Sequence, residues 1–217
     1  MSRYAVLGAT GRTGRHLVTA LLERGDEVVA LGRGGRGLAA SARAGARTVS
    51  LDLTRASVAE LATSFTGCDG VLFAAGTTNA GAANAVDRDG SVRSVAAAQR
   101  SGVRRFVQIS SIGAGDRIPP VIDTPEFAPY YAAKRAADAN LRASDLHWTI
   151  LEPGWLTDDP PTGRIRLGDR DLPMGAVPRA DVAATMIAVL DDDRSVGRQW
   201  QLVAGPTPIA QAIAELL

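Results

Sequence analysis

A chain of 217 residues, 46% hydrophobic and with a net charge of +1 at pH 7, is long enough for one domain with a substantial core and too short for two ordinary ones. The balanced charge gives no electrostatic footprint for nucleic acid or an anionic membrane surface, and no apolar run reaches the roughly 18 residues of a membrane span. A single cysteine, Cys68, excludes an internal disulfide, and the two histidines, His16 and His147, lack metal-ligand spacing, so the expectation is a soluble protein of a reducing, cytoplasmic compartment.

The first predicted element is a strand, Tyr4–Leu7, which runs into Gly8-x-x-Gly11-x-x-Gly14. Leu17, Val18, Leu21 and Leu22 then fall on one face of a helix. Strand, glycine turn and helix together open a dinucleotide-binding βαβ unit. A residue without Cβ permits the tight turn and lets backbone approach a pyrophosphate. The helix N-terminus offers free N–H groups and the positive end of its dipole, and the third glycine lets the helix sit close to the sheet. Gly8, Thr10, Gly11, Arg12, Thr13 and Gly14 are therefore assigned to a nucleotide cofactor. In the form Gly-Ala-Thr-Gly-x-x-Gly the turn resembles the short-chain dehydrogenase/reductase superfamily, in particular its extended and atypical branches.

Gly25 is placed to close the first helix. A second strand follows, Val28–Leu31, apolar throughout as a covered parallel strand is. Asp26 and Glu27 precede it, at the wrong end to accept ribose hydroxyls. The segment after it, Gly32-Arg33-Gly34-Gly35-Arg36, holds no acid. Arg33 is placed to meet a 2′-phosphate, which points to NADP(H) ahead of NAD(H); the alternative is that Arg33 and Arg36 are solvated loop charges. A short helix, Leu38–Ala44, ends at Gly45, and a third strand, Arg47–Leu51, ends in Asp52-Leu53-Thr54. The resemblance implies that Asp52, with Leu53, lies beside the adenine ring. The competing reading makes Asp52 or Thr54 the cap of a helix over Ser57–Phe65.

Gly70–Gly76 reads as the fourth strand, with the small end Ala74-Ala75-Gly76 bare enough for a flat ligand. The resemblance implies that the cofactor's central riboses lie there. Asn84–Arg100 is the longest helical stretch, with Val86, Val92, Val95 and Ala96 or Ala98 as its expected buried stripe and Gly90 as a weak point. Arg105–Ile109 is the fifth strand and ends in Ser110-Ser111, hydroxyls at the sheet edge where open α/β proteins bind ligands. A long Gly-, Pro- and Asp-rich loop, Ile112–Pro129, reads as a lid or substrate wall.

Tyr130 and Lys134 open the next helix, which runs to about Ala143, and at four-residue spacing they share a face. Tyr-x-x-x-Lys resembles the signature of the short-chain enzymes, and Ser111 is the matching hydroxyl. A free tyrosine titrates near about 10, and a neighbouring ammonium stabilises its phenolate. The resemblance implies that Tyr130 exchanges a proton with the substrate oxygen, Lys134 also holds the nicotinamide ribose and Ser111 orients the substrate carbonyl. Tyr131 competes with Tyr130, because Tyr131-x-x-Lys134 shares a helix face as well.

His147–Leu151 is the sixth strand. The run Leu141-x-x-Ser144-x-Leu146-x-Trp148-Thr149-Ile150-x-x-Pro153-Gly154 resembles the atypical branch, which implies that Pro153 and Gly154 face the nicotinamide end. The residue before Pro-Gly is often arginine there; here it is Glu152. Arg164–Leu167 and Asp171-Leu172 are expected to form a small hairpin, Arg179–Leu190 a helix with Asp181 in its first turn, Gln199–Val203 a last strand and Pro206–Leu217 a terminal helix.

The expected fold is one doubly wound, mostly parallel sheet of about seven strands with helices on both faces, a Rossmann domain with a small substrate-side segment over 154–217. The resemblance implies NADPH binding, and the first expectation is an NADPH-dependent reductase of a small carbonyl or conjugated substrate; a monomer or a homodimer is expected. The alternatives are a cofactor-binding sensor without turnover and, disfavoured by the short C-terminal part, a sugar-nucleotide epimerase.

Overall fold

Short aliphatic strands alternating with amphipathic helices enforce a parallel sheet, because each strand returns to the same edge only through a crossover. The computed structural model describes residues 1–77, 80–115 and 118–217. Its elements, in chain order, are β1 (Arg3–Leu7), α1 (Gly14–Glu23), β2 (Glu27–Gly32), α2 (Arg36–Arg43), β3 (Arg47–Ser50), α3 (Val58–Phe65), β4 (Gly70–Phe73), a π-helical turn (Asn84–Arg88), α4 (Asp89–Ser101), β5 (Arg105–Ile109), α5 (Ala128–Arg142), β6 (His147–Pro153), β7 (Trp155–Thr157), β8 (Arg164–Gly168), β9 (Ala176–Pro178), α6 (Arg179–Leu190), β10 (Arg198–Ala204), β11 (Thr207–Pro208) and α7 (Ile209–Ala214).

The main sheet has nine strands in the order β11-β8-β10-β6-β5-β4-β1-β2-β3. From β3 to β10 all neighbours are parallel. Those are the seven strands the sequence predicts, and the antiparallel β8 and β11 extend the β10 edge. β7 and β9 form a separate parallel pair. Helices cover both faces. Leu17, Val18 and Leu21 of α1 and Val182, Met186 and Val189 of α6 pack on one; Leu61 and Phe65 of α3, Val95 of α4 and Leu141 of α5 pack on the other. Chain order reverses between β1 and β4, so the carboxyl ends of these strands open a crevice at a topological switch point.

Four local expectations are corrected. The helix at 58–65 is capped by Ser57 in a capping box with Glu60, so neither Asp52 nor Thr54 caps it; the Ser-x-x-Glu spacing is the signal for this. The expected hairpin does not form, because β8 pairs with β10 and β11 rather than with Asp171-Leu172. The buried face of α4 is Gly90, Ser91, Ser94, Val95, Ala97 and Ala98, while Val92 is half-buried, since small residues let α4 lie close to the sheet. Asp181 does not serve the α6 dipole alone: it is buried and accepts from the N–H groups of Thr162 and Gly163 and the Thr162 hydroxyl.

Candidate functional site

The glycine turn has steric reasons for its glycines. Gly8 has φ +78°, and a Cβ there would lie 2.7 Å from Ala75 backbone; a Cβ on Gly14 would lie 2.1 Å from the Gly8 oxygen. The turn is held by bonds from the N–H groups of Gly8 and Ala9 to the Leu31 carbonyl and of Gly11 to the Gly8 carbonyl. Among the described residues the N–H groups of Thr10, Arg12, Thr13 and Gly14 have no acceptor, which leaves four donors at the start of α1, where an anion is favoured.

A cleft of about 390 Å³ opens over this turn. It brings together Gly8, Thr10, Gly11, Arg33, Asp52, Leu53, Ala74, Ala75 and Gly76, with Leu31, Thr54, Thr77, Ala82 and Val86 as further walls. Arg33 is exposed at the end of β2. Glu27, the acid of that strand, lies at the other end, paired with Arg3 at 2.5 Å. Asp52 accepts from the Thr54 N–H and hydroxyl at 2.9 and 2.8 Å, and these bonds hold its carboxyl below the ordinary range. The remaining residues assigned from sequence stand outside the cleft wall. Arg12 pairs with Asp158 at 2.9 Å, Asp158 also receives Arg179 at 3.0 Å, and Thr13 precedes α1 without a side-chain capping bond.

Lys134 projects from α5 into the sheet edge beside this cleft. Its Nζ lies 2.9 Å from Asp87 Oδ1 and donates to the Ile109 carbonyl at 3.2 Å. Burial opposes the Lys134 charge, but Asp87, and less strongly Tyr130, outweighs it and raises the ammonium's pKa. Asp87 sits in the π-helical turn before α4 and also accepts from the Thr77 N–H at 3.2 Å. Such turns recur at functional sites; this one carries an acid that helical periodicity alone did not single out.

The two tyrosines part company at this point. The Tyr130 ring centroid lies 5.8 Å from Lys134 Nζ. Tyr131 is buried; burial raises its phenol pKa, and a Ser111 hydrogen bond works against the rise. Ser111 thus meets Tyr131 rather than only framing Tyr130. Edge contacts join Tyr130 to Tyr131 (5.1 Å) and Tyr131 to Phe127 (6.3 Å), and Phe127 leans on Trp155 (6.4 Å). The lid expected over Ile112–Pro129 supplies Phe127 to this aromatic wall; its residues 116 and 117 lie outside the described residues. Pro153 and Gly154 do not line the cleft. Gly154 donates to the Leu202 carbonyl, Pro153 accepts from the Ile112 N–H, and a Cβ on Gly154 would lie 2.0 Å from the Gly175 oxygen.

Cys68 is buried, and burial pushes its thiol up to about 11, which makes it a packing residue. Among the described residues no cluster of His, Cys, Asp or Glu is fit to hold a metal, and no helix is long and apolar enough to cross a membrane.

The chain is similar to proteins of known sequence and structure. A family described as NAD(P)H-binding matches residues 8–193. A Bacillus subtilis protein described as an uncharacterized sugar epimerase is 36% identical over 215 residues, covering 97% of this chain and 98% of the relative. Among solved structures, a putative NAD-dependent epimerase/dehydratase from Bacillus halodurans is 30% identical with a TM-score of 0.89, each chain covered in full. The oxidoreductase ylbE from Lactococcus lactis is 26% identical with a TM-score of 0.87, over 99% of this chain and 96% of that one.

Proposed function

Because the chain belongs to the NAD(P)H-binding family and has the fold of the atypical short-chain dehydrogenase/reductases, we propose that it is an oxidoreductase that uses NADP(H) to reduce a small carbonyl or conjugated substrate. The observation that carries this reading is Lys134, buried, paired with Asp87 and 5.8 Å from the Tyr130 ring, at the same sheet edge as the glycine cradle.

The residues present fit the cofactor. The turn is closed to any Cβ at Gly8 or Gly14 and leaves four N–H donors for a pyrophosphate. Arg33 would hold a 2′-phosphate, Asp52 and Leu53 the adenine end, Ala74 to Gly76 the flat centre and Lys134 the nicotinamide ribose. The preference for NADP(H) rests on Arg33 at the end of β2, where no acid stands. When bound, a reduced nicotinamide supplies hydride to carbon. The chain's own share is the proton: the Tyr130 hydroxyl gives it to the substrate oxygen, while the Lys134 ammonium balances the charge left on the phenol oxygen. Ser111 orients that substrate oxygen. Phe127 and Trp155 offer ring faces and edges to a conjugated substrate, with the buried Tyr131 packed behind Phe127. A second reading, cofactor binding without turnover, draws on the contact between Tyr131 and Ser111, which engages the hydroxyl that Tyr130 would share.

The test is a titration with NADPH and NADH, followed by NADPH oxidation against quinones, flavins, aldehydes and ketones. Wild type is compared with Tyr130→Phe and Tyr131→Phe. The expected result is tighter binding of NADPH, turnover on at least one class, and a fall in kcat of roughly a hundredfold to ten-thousandfold for Tyr130→Phe alone. Binding with no turnover favours the second reading, and no binding of either nucleotide overturns both.

A further inference from the structure

A second cavity, of about 470 Å³, lies on the other flank of α5 from Lys134, over β6 and β10. Lys134 and Tyr130 occupy one flank of the helix. Arg135 and Arg142, seven residues apart and so on one face, line the new cavity with Glu152 of β6, Gln199 and Gln201 of β10, and the loop Asp169 to Asp171. Its size is that of a small-molecule site, yet its walls are polar where a cofactor pocket is mostly apolar.

The hydrogen bonding of these walls is one-sided. Each acceptor side chain already holds at least one partner. Asp169 receives the Trp200 Nε1–H at 2.9 Å, and Glu152 receives Gln199 Nε2 at 2.6 Å. Gln199 Oε1 receives Arg142 at 2.7 Å, Gln201 Oε1 receives the Leu172 N–H at 2.9 Å, and Asp171 is engaged as well. The donors are not. Arg170 makes no hydrogen bond or ion pair among the described residues. Arg142 uses only Nη1, and Arg135 uses Nε and Nη2 on the Gly115 carbonyl. Asp171, beside Arg170, is held at φ 61°, a conformation that non-glycine residues seldom adopt. Guanidinium forks with unused N–H groups pair with planar or tetrahedral oxyanions.

We propose that this cavity is a binding site, separate from the cofactor cleft, for a small organic anion bearing a carboxylate or a phosphate, held by Arg135, Arg142 and Arg170. Glu152 forms the floor and is itself held by the two glutamines. The site shares no lining residue with the cofactor cleft.

The experiment is an amide and arginine Nε–H NMR titration of the whole chain with citrate and, separately, glucose 6-phosphate. The expected result is saturable shifts at Gly115, Gln199, Gln201 and the three arginines with at least one probe. Citrate alone names the carboxylate, glucose 6-phosphate alone the phosphate, and both together the shared oxyanion chemistry. Arg170→Ala, a change at an exposed side chain without bonds, should weaken binding about tenfold or more, as should Arg142→Ala, while leaving NADPH affinity unchanged. Three results would overturn the proposal: no saturable shift with either probe, shifts confined to Gly11–Gly14, or an affinity in both arginine variants unchanged from that of wild type. Sedimentation of the same samples adds a fourth: a dimer that the arginine variants dissolve makes this face an interface between copies.

Discussion

Lys134 Nζ lies 2.9 Å from Asp87 Oδ1, with the side chains 5% and 0% exposed. A pair this deep depends on both members, because removal of one strands a charge out of water. Asp87→Asn is therefore expected to cost about 3–5 kcal/mol in urea denaturation and to loosen Lys134 from the cofactor edge, weakening NADPH binding. The double variant Asp87→Asn with Lys134→Met should recover much of the stability while leaving turnover lost. A single variant as stable as wild type would mean that the pair does not hold this edge together.

Arg33 separates the two nicotinamide cofactors by a difference measurement. It is exposed at the end of β2 and lines the cleft, so its removal should not unfold the chain. Arg33→Ala should weaken NADPH roughly tenfold to a hundredfold, the loss of a charge-assisted pair, and leave NADH nearly unchanged. Equal losses for both would remove the phosphate role from Arg33.

Two glycines should respond to alanine with opposite signs. A Cβ on Gly14 meets Gly8 backbone at 2.1 Å, whereas one on Gly90, inside α4, meets nothing nearer than 3.7 Å. Gly14→Ala must shift the turn, lowering both stability and NADPH affinity. Gly90→Ala should stabilise by about 0.4–1 kcal/mol, by reducing the freedom of the unfolded chain. Chemical denaturation of both variants checks the pair, and a stabilised Gly14→Ala would contradict the close approach of α1 to the turn.

Much of this was legible in the residues. The seven parallel strands and α6 followed from apolar runs and helical spacing, and Gly8 to Gly14 from the need for backbone without Cβ. What escaped has a physical reason in each case. Asp87 lies in a π-helical turn, where the ordinary helical period does not say which side chain points inward. Ser57 outcompeted Asp52 and Thr54 as a cap because Glu60 completes its box. The contact of Tyr131 with Ser111 depends on the rotation of α5 against the sheet, which sequence spacing left open between two adjacent tyrosines. The polar cavity is assembled from residues 114 to 201, and no local pattern carries such a union.

Glu152 makes the stability of the chain depend on pH in a direction opposite to the common one for carboxylates. It is buried, faced by Asp138 and Arg142 from α5 and by Gln199 and Gln201 from β10. Burial first, and then Asp138, push it up to about 7, against the glutamine hydrogen bonds and Arg142. Unfolded, it titrates near its ordinary 4.5. Between these values the folded chain binds the proton that the unfolded chain has lost, so stability falls as pH rises. The full penalty, on the order of 3 kcal/mol, is present above the folded value and absent below the unfolded one. Glu152→Gln keeps the volume and stays neutral throughout. Its stability minus that of wild type should therefore be small near about pH 4.5 and grow to its maximum above about pH 7. Groups with lowered values, such as Asp52 and Asp158, titrate alike in both proteins and cancel. Asp138, raised by its own burial, adds a slope of the same sign to each. A difference that stays flat across this range, read from urea denaturation at a series of pH values, would show that the Glu152 carboxyl is as well solvated as in the unfolded chain.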